Sequence, residues 1–231
     1  MGRHSKSSLL YQQIKLDLQA GHYPPGGRID PGALAKAFDT SPTPVRLALC
    51  RLVGEGLVAD HGREGFHALR VTEHSLRDLY DWMERLLLLA CSAPQSTSTS
   101  VHTLASLPAT HDIATLTSHV FEVIARGSHN THLLQAVQRA NDELNPVRRA
   151  KSKLLADGAE ELHGLHTHWC RRELAALRAA IRRYHRRRRR LASEIVAALE
   201  GAPLPAVSGP AEREFETPDT AAQQHMKLII T

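Results

Sequence analysis

Aromatic side chains make up only 4% of this 231-residue chain, so any core it folds around has to be aliphatic. Cysteine is scarce too. Cys50, Cys91 and Cys170 are odd in number and far apart, which excludes a disulfide framework and points to free thiols in a reducing cytoplasm. No run of roughly 18 apolar residues is present, so no transmembrane helix and no membrane partner are expected. The residues after Met1 are polar and lack the apolar core of a secretory signal. Gly-x-Ser-x-Gly, Walker-loop, His-Glu-x-x-His and dinucleotide-binding glycine patterns are all missing, and no repeat is visible. The chain therefore reads as a binding protein rather than an enzyme.

What it does contain is enough apolar residue, 42%, to fold at a length suited to two domains. The net charge is +5, unevenly spread. Residues 1–70 are modestly basic, residues 171–190 are strongly so, and the remainder is net acidic. Both basic regions are compatible with nucleic-acid contact.

Residues 41–52 are the most informative stretch: Ser-Pro-Thr-Pro-Val-Arg-Leu-Ala-Leu-Cys-Arg-Leu. Ser41 or Thr43 can cap a helix, and Pro42 or Pro44 suits its first position. Val45, Leu49 and Leu52 recur at i, i+4 and i+7 as a buried stripe. Thr43, Arg46 and Arg51 fall away from it. A helix start carrying hydroxyls, free N–H groups and arginine suits phosphates and base edges in a major groove.

The flanks agree. Leu10, Ile14 and Leu18 predict a helix from Ser7 or Ser8 to Ala20, ended by Gly21 and a Pro24-Pro25-Gly26-Gly27 turn. Asp30-Pro31 opens a short second helix carrying Leu34, Ala35 and Phe38. After Gly56, Leu57-Val58 and Phe66-His67-Ala68-Leu69 read as two short strands around His61-Gly62-Arg63-Glu64-Gly65, a plausible wing.

In this order the residues resemble the GntR family of bacterial transcription regulators. The match runs from residue 8 to 69. It is carried by Pro25-Gly26, Arg28-Ile29, Leu34-Ala35, Ser41-x-Thr43-Pro44-Val45-Arg46-x-Ala48-Leu49-x-Arg51-Leu52, Glu55-Gly56-Leu57-Val58 and Gly65-Phe66. The resemblance implies operator contact through Arg28, Ser41, Thr43, Pro44, Arg46, Arg51, Gly62 and Arg63. One departure is Pro42, where the family usually has arginine, so one phosphate or guanine contact is missing.

The rest reads as all-α. Helices are predicted over Glu73–Cys91, 113–126, 131–154, 158–180 and 181–199, with a Ser/Thr-rich loop at 92–112 that can hold a short helix around 100–107. The expected architecture is thus a mostly α protein of three parts. They are a winged helix-turn-helix of three helices and a small β-wing (1–70), a helical bundle for effector binding and dimerisation (71–200), and a polar tail (201–231).

The second half is similar, more loosely, to the FadR-like branch of that family. There a dimeric bundle binds a small molecule, often an organic acid and commonly through a metal. Carried over, the ligand positions fall at Thr117, Phe121, His163 and His185, and the effector-gripping positions at Met83 and Leu87. Two imidazoles, His163 and His185, cannot supply the ~4 ligands of zinc, so no cofactor is expected. The expected pocket is apolar and edged by those histidines. A rival metal reading, His163, His166 and Cys170 at i, i+3 and i+7, rests on spacing alone. The resemblance implies a repressor, homodimeric and cytoplasmic, with an operator duplex and a small effector as partners. The alternative is an arginine-rich helical module, built on Arg186–Arg190, that holds nucleic acid or an acidic partner without sequence choice.

Overall fold

The computed structural model describes residues 6–92, 112–150 and 157–200. Among them are nine α-helices, one 3-10 turn and three short strands. The expected 100–107 helix and the 201–231 tail lie outside the described residues.

The head comprises α1 (Lys6–Gln19), β1 (Arg28–Ile29), α2 (Pro31–Ala37), α3 (Pro42–Gly54), β2 (Val58–Asp60), a 3-10 turn (Gly62–Glu64) and β3 (Phe66–Ala68). Asp30 caps α2 by accepting from Gly32 N at 2.8 Å, with Pro31 in the first helical position. Ser41 occupies the cap position of α3, but its side chain makes no capping bond. Ser41 and Thr43, the two hydroxyls that the sequence offered for capping, are both exposed. Val45, Ala48, Leu49 and Leu52 of α3 pack with Leu10 and Ile14 of α1 and with Ile29, Val58 and Phe66 of the strands. This core is mainly aliphatic, with Tyr11 and Phe66 as its buried aromatics. The strands form one antiparallel sheet in the order β1-β3-β2, pairing Arg28 with His67 and Asp60 with Phe66. Two residues are too few for β1 to show alternation, so only the two wing strands were legible in sequence.

Thr72 starts the helical bundle with a reciprocal cap: its hydroxyl accepts from Ser75 N while Ser75 Oγ accepts from Thr72 N. The bundle holds α4 (Glu73–Ala90), α5 (Ile113–Arg126), α6 (Thr131–Ala150), α7 (Gly158–Cys170), α8 (Leu174–Arg190) and α9 (Ala192–Glu200). The expected 158–180 and 181–199 helices need correction. The first breaks at Arg171–Glu173, where Arg172 takes φ +56°, and the second at Leu191. Neither break carries a glycine or proline, so local sequence gave no signal.

Head and bundle meet along α1 and α6. Lys15 Nζ lies 2.7 Å from Asp142, Gln19 donates to the same carboxylate at 2.6 Å, and Arg149 donates to Gln19 O. Beside these contacts lies a cavity of about 400 Å³ whose walls include Leu18, Tyr23 and Pro25 of the head and Leu76, Leu79 and Val147 of the bundle.

Candidate nucleic-acid interface and the polar heart of the bundle

The outer face of α3 is set by its inner one. Burying Val45, Ala48, Leu49 and Leu52 turns Thr43, Arg46, Leu47 and Cys50 outward, three and four residues apart on one side of the helix. Ser41 and Pro42 are exposed at its start and Pro44 is half-buried. None of the first-turn residues is acidic, so the helix end, with its unpaired N–H groups, faces solvent without a competing carboxylate. No ion pair of Arg46 is found among the described residues.

Arg51 is placed differently from Arg46. It stacks over the Tyr11 ring, 3.8 Å from its centroid, and pairs with Glu55 at 3.3 Å. Glu55 also accepts from the Tyr11 hydroxyl at 2.7 Å and lies 3.4 Å from Lys15. Those bonds hold the Glu55 carboxyl below its ordinary range against the opposing effect of burial. Arg51 therefore ties α3 to α1 on the flank of the exposed face.

In the wing, Gly62 and Arg63 are exposed at the tip, with Asp60 Oδ1 accepting from Gly62 N at 2.9 Å. Gly65 returns the chain into β3 at φ +85°, ψ −157°, backbone open essentially only to glycine. Arg28 is exposed at the sheet's edge, opposite His67. The wing sheet thus presents Arg28 and Arg63 as exposed cations near α3, with no ion pair to either among the described residues. Leu47 went unnoticed in the sequence; it sits one turn beyond Thr43 and off the apolar stripe, which was the available signal.

In the bundle, Met83, Leu87, Thr117, Phe121 and His185 are all buried at its centre. His163 is not with them. It is exposed on α7, whose inward residues are Leu162, Leu165 and Trp169. A one-position offset on a helix rotates a side chain by roughly 100°, and that separates His163 from His185. The His163–His166–Cys170 trio fares no better. Cys170 Sγ comes within 3.6 Å of His166 Nε2, but no group of three or more His, Cys, Asp or Glu converges on a metal position among the described residues.

The bundle centre is more polar than expected. Arg148 is buried, its Nη1 donating to Ser118 Oγ at 3.0 Å, Asn141 Oδ1 at 3.0 Å and Asn145 Oδ1 at 3.3 Å. It pairs with no carboxylate among the described residues; its Nε and Nη2 meet no partner at hydrogen-bond geometry there, and the Tyr184 hydroxyl is a nearby polar group that acts on the guanidinium. Burial pulls its guanidinium below the usual arginine range. His185 engages Ile181 O through Nδ1 at 2.8 Å, which leaves Nε2 an acceptor with no partner among the described residues. Burial drives its pKa down to about 3, so the ring is neutral. Phe121 packs against both, 5.2 Å from the Arg148 guanidinium and 5.7 Å from the His185 ring. The sequence held a signal here: Asn141, Asn145 and Arg148 repeat at i, i+4 and i+7 on the buried face of α6.

Three arginines of α8 are spent on ion pairs inside the molecule. Arg187 pairs with Asp157 at 3.3 Å and Glu161 at 3.2 Å, buried Arg188 with Glu161 at 2.8 Å, and Arg189 with Glu84 at 2.5 Å. Arg182, Arg183, Arg186 and Arg190 remain exposed. The run is therefore part of the ordered bundle, not an appendage to it.

A three-helix head with an antiparallel wing, an arginine-bearing third helix and a helical bundle behind it defines a winged helix-turn-helix fold joined to an all-α domain. Residues 6–67 match the model of the bacterial regulatory proteins of the gntR family. A Bacillus subtilis (strain 168) protein, the uncharacterized HTH-type transcriptional regulator YdhC, is 27% identical over 156 residues, covering 60% of this chain and 67% of its own. Two solved structures share the fold at 17% identity. Escherichia coli McbR/YncC superposes at TM-score 0.62 over 81% of this chain and 97% of its own. A putative transcriptional regulator GntR from Rhodococcus sp. RHA1 superposes at 0.65 over 84% and 99%. The likeness to gntR-family regulators is thus carried by the head, residues 6–67, and the solved structures share the fold of head and bundle together. Among the described residues no helix is long and apolar enough to cross a membrane.

Proposed function

We propose that this protein is a cytoplasmic homodimeric repressor of the FadR-like branch, binding operator DNA through the head and a small effector through the bundle. The head corresponds to residues 1–70 and the effector and dimerisation domain to 71–200. The observation that carries the reading is the outer face of α3, where Thr43 and Arg46 lie exposed on a helix whose opposite side is fully committed to the core. Thr43 and Arg46 contact base edges and phosphates, and Arg28, Gly62 and Arg63 approach the backbone or minor groove. A dimer presents two such faces to a palindromic site. Dimerisation rests on the resemblance.

The effector is a small molecule with an anionic oxygen for Arg148 and a hydrogen-bond donor for His185 Nε2. The Arg148 charge, which no described carboxylate balances, and the His185 Nε2 acceptor favour this over the less charged ligand that an apolar pocket at Met83, Leu87, Thr117 and Phe121 implied. It shifts the balance between two head arrangements to the extent that it binds one better.

The test is binding to a sequence selected from random duplexes by the purified protein. Arg46→Ala is expected to cut affinity for the selected site at least tenfold while leaving non-specific binding less affected; unchanged affinity refutes the assignment. The arginine-run alternative predicts the reverse. There, removing exposed Arg182, Arg186 and Arg190 together abolishes binding, and no sequence is preferred over another.

A further inference from the structure

Leu47 is 61% exposed in the middle of the recognition helix, and its position has no structural explanation within the head. The core face of α3 is complete without it, built from Val45, Ala48, Leu49 and Leu52. The other large exposed apolar residues, Leu9, Leu16, Trp82 and Leu89, lie on α1 and α4. Leu47 alone shares its face with Thr43, one turn earlier, and Cys50, nearly one turn later, with Arg46 beside it. Thr43 contributes a methyl, Cys50 a weakly polar thiol, and none of the four is acidic. The result is a small apolar strip bordered by a cation, on the exposed face of α3 that the proposed function assigns to the major groove.

The major groove offers one apolar feature for such a strip, the C5-methyl of thymine. We propose that Leu47 is a specificity-determining residue that packs on a thymine methyl in each half-site, with the Thr43 methyl closing one side of the contact. This rests on sequence-specific DNA binding by the head. It adds a base preference that neither Thr43 nor Arg46 supplies, since a guanidinium and a hydroxyl read hydrogen-bonding groups and the leucine reads only the methyl. It also accounts for the cost of leaving a leucine in water in the free protein: the apolar area is removed from solvent only on the operator.

The test removes the methyl without touching a hydrogen bond. An operator is first selected from random duplexes with the full-length protein, and each thymine is then replaced singly by deoxyuridine. Burying one methyl corresponds to about a fourfold change in affinity. The expected result is one position per half-site where deoxyuridine weakens wild-type binding about fourfold, and where Leu47→Ala binds thymine and deoxyuridine equally. Cys50→Ser should keep the wild-type sensitivity. Since Leu47 lies outside the core, the melting curve of Leu47→Ala should overlay the wild type and exclude misfolding as the cause. The inference is overturned if no deoxyuridine position weakens wild-type binding, or if Leu47→Ala retains the methyl sensitivity. If selection enriches no sequence at all, the operator-binding reading fails together with it.

Discussion

Lys15 of the head and Asp142 of the bundle meet at 2.7 Å across the seam between the two cores, each side chain less than a quarter exposed. Burial raises the Asp142 carboxyl above its ordinary range by more than the neighbouring ammonium lowers it, while the Lys15 ammonium ends up held above its own. The two directions agree on one point: the pair is formed at the expense of hydration, and each partner is costly alone. Lys15 also touches Glu55, which holds Arg51 and Tyr11, so the seam reaches α3 through two charged contacts.

A double-mutant cycle with Lys15→Ala and Asp142→Ala should therefore give a favourable coupling of about 1 kcal/mol in urea unfolding. Zero coupling would mean that the bridge does not join head and bundle in solution.

Arg148 is a buried cation without a carboxylate among its described neighbours. Arg148→Met is expected to leave stability unchanged or to raise it by about 1–4 kcal/mol, since a well-packed apolar replacement removes an uncompensated charge. It should at the same time eliminate any response of operator binding to an anionic effector. A loss of stability of several kcal/mol would instead assign Arg148 a structural role through Ser118, Asn141 and Asn145.

His185 sets a pH dependence. Its folded pKa, about 3, lies below the ordinary histidine value, so the unfolded chain binds the extra proton first. Stability from this group is complete above about pH 6.5 and falls as the pH drops toward 3, by about 1.4 kcal/mol per pH unit at most. Urea midpoints at pH 7 and pH 5.5 should differ in the wild type, and the gap should shrink in His185→Leu. An equal gap in both would remove His185 as its source.

The wing makes a sequence-blind contribution. Arg63→Ala should weaken binding to operator and to random duplex by similar factors and reduce the salt slope by about one. A selective loss on the operator would place Arg63 on a base edge.

The head was legible because its signals are local. Caps, turn glycines and an apolar stripe of period near 3.6 lie within about 60 residues in a fixed order, and each element's inner face follows from its own sequence. Val45, Leu49 and Leu52 are buried, and Thr43 and Arg46 are exposed, as that stripe requires. The bundle was legible only as helices. Arg172 and Leu191 end helices with no glycine or proline nearby, because packing against other helices decided those ends.

The sequence alone determined the fold class, the order of the head's elements and the outward face of α3, since periodicity and capping chemistry act over one or two turns. Only the tertiary structure decided which polar groups are buried together. A shift of one residue on α7 turns His163 to solvent, whereas Asn145 and Arg148 of α6 reach Ser118 of α5 across an interhelical contact that no local pattern encodes. It likewise spent Arg187, Arg188 and Arg189 on carboxylates of α4, α7 and the residue before it, because ion pairs between distant segments form only once the helices have packed.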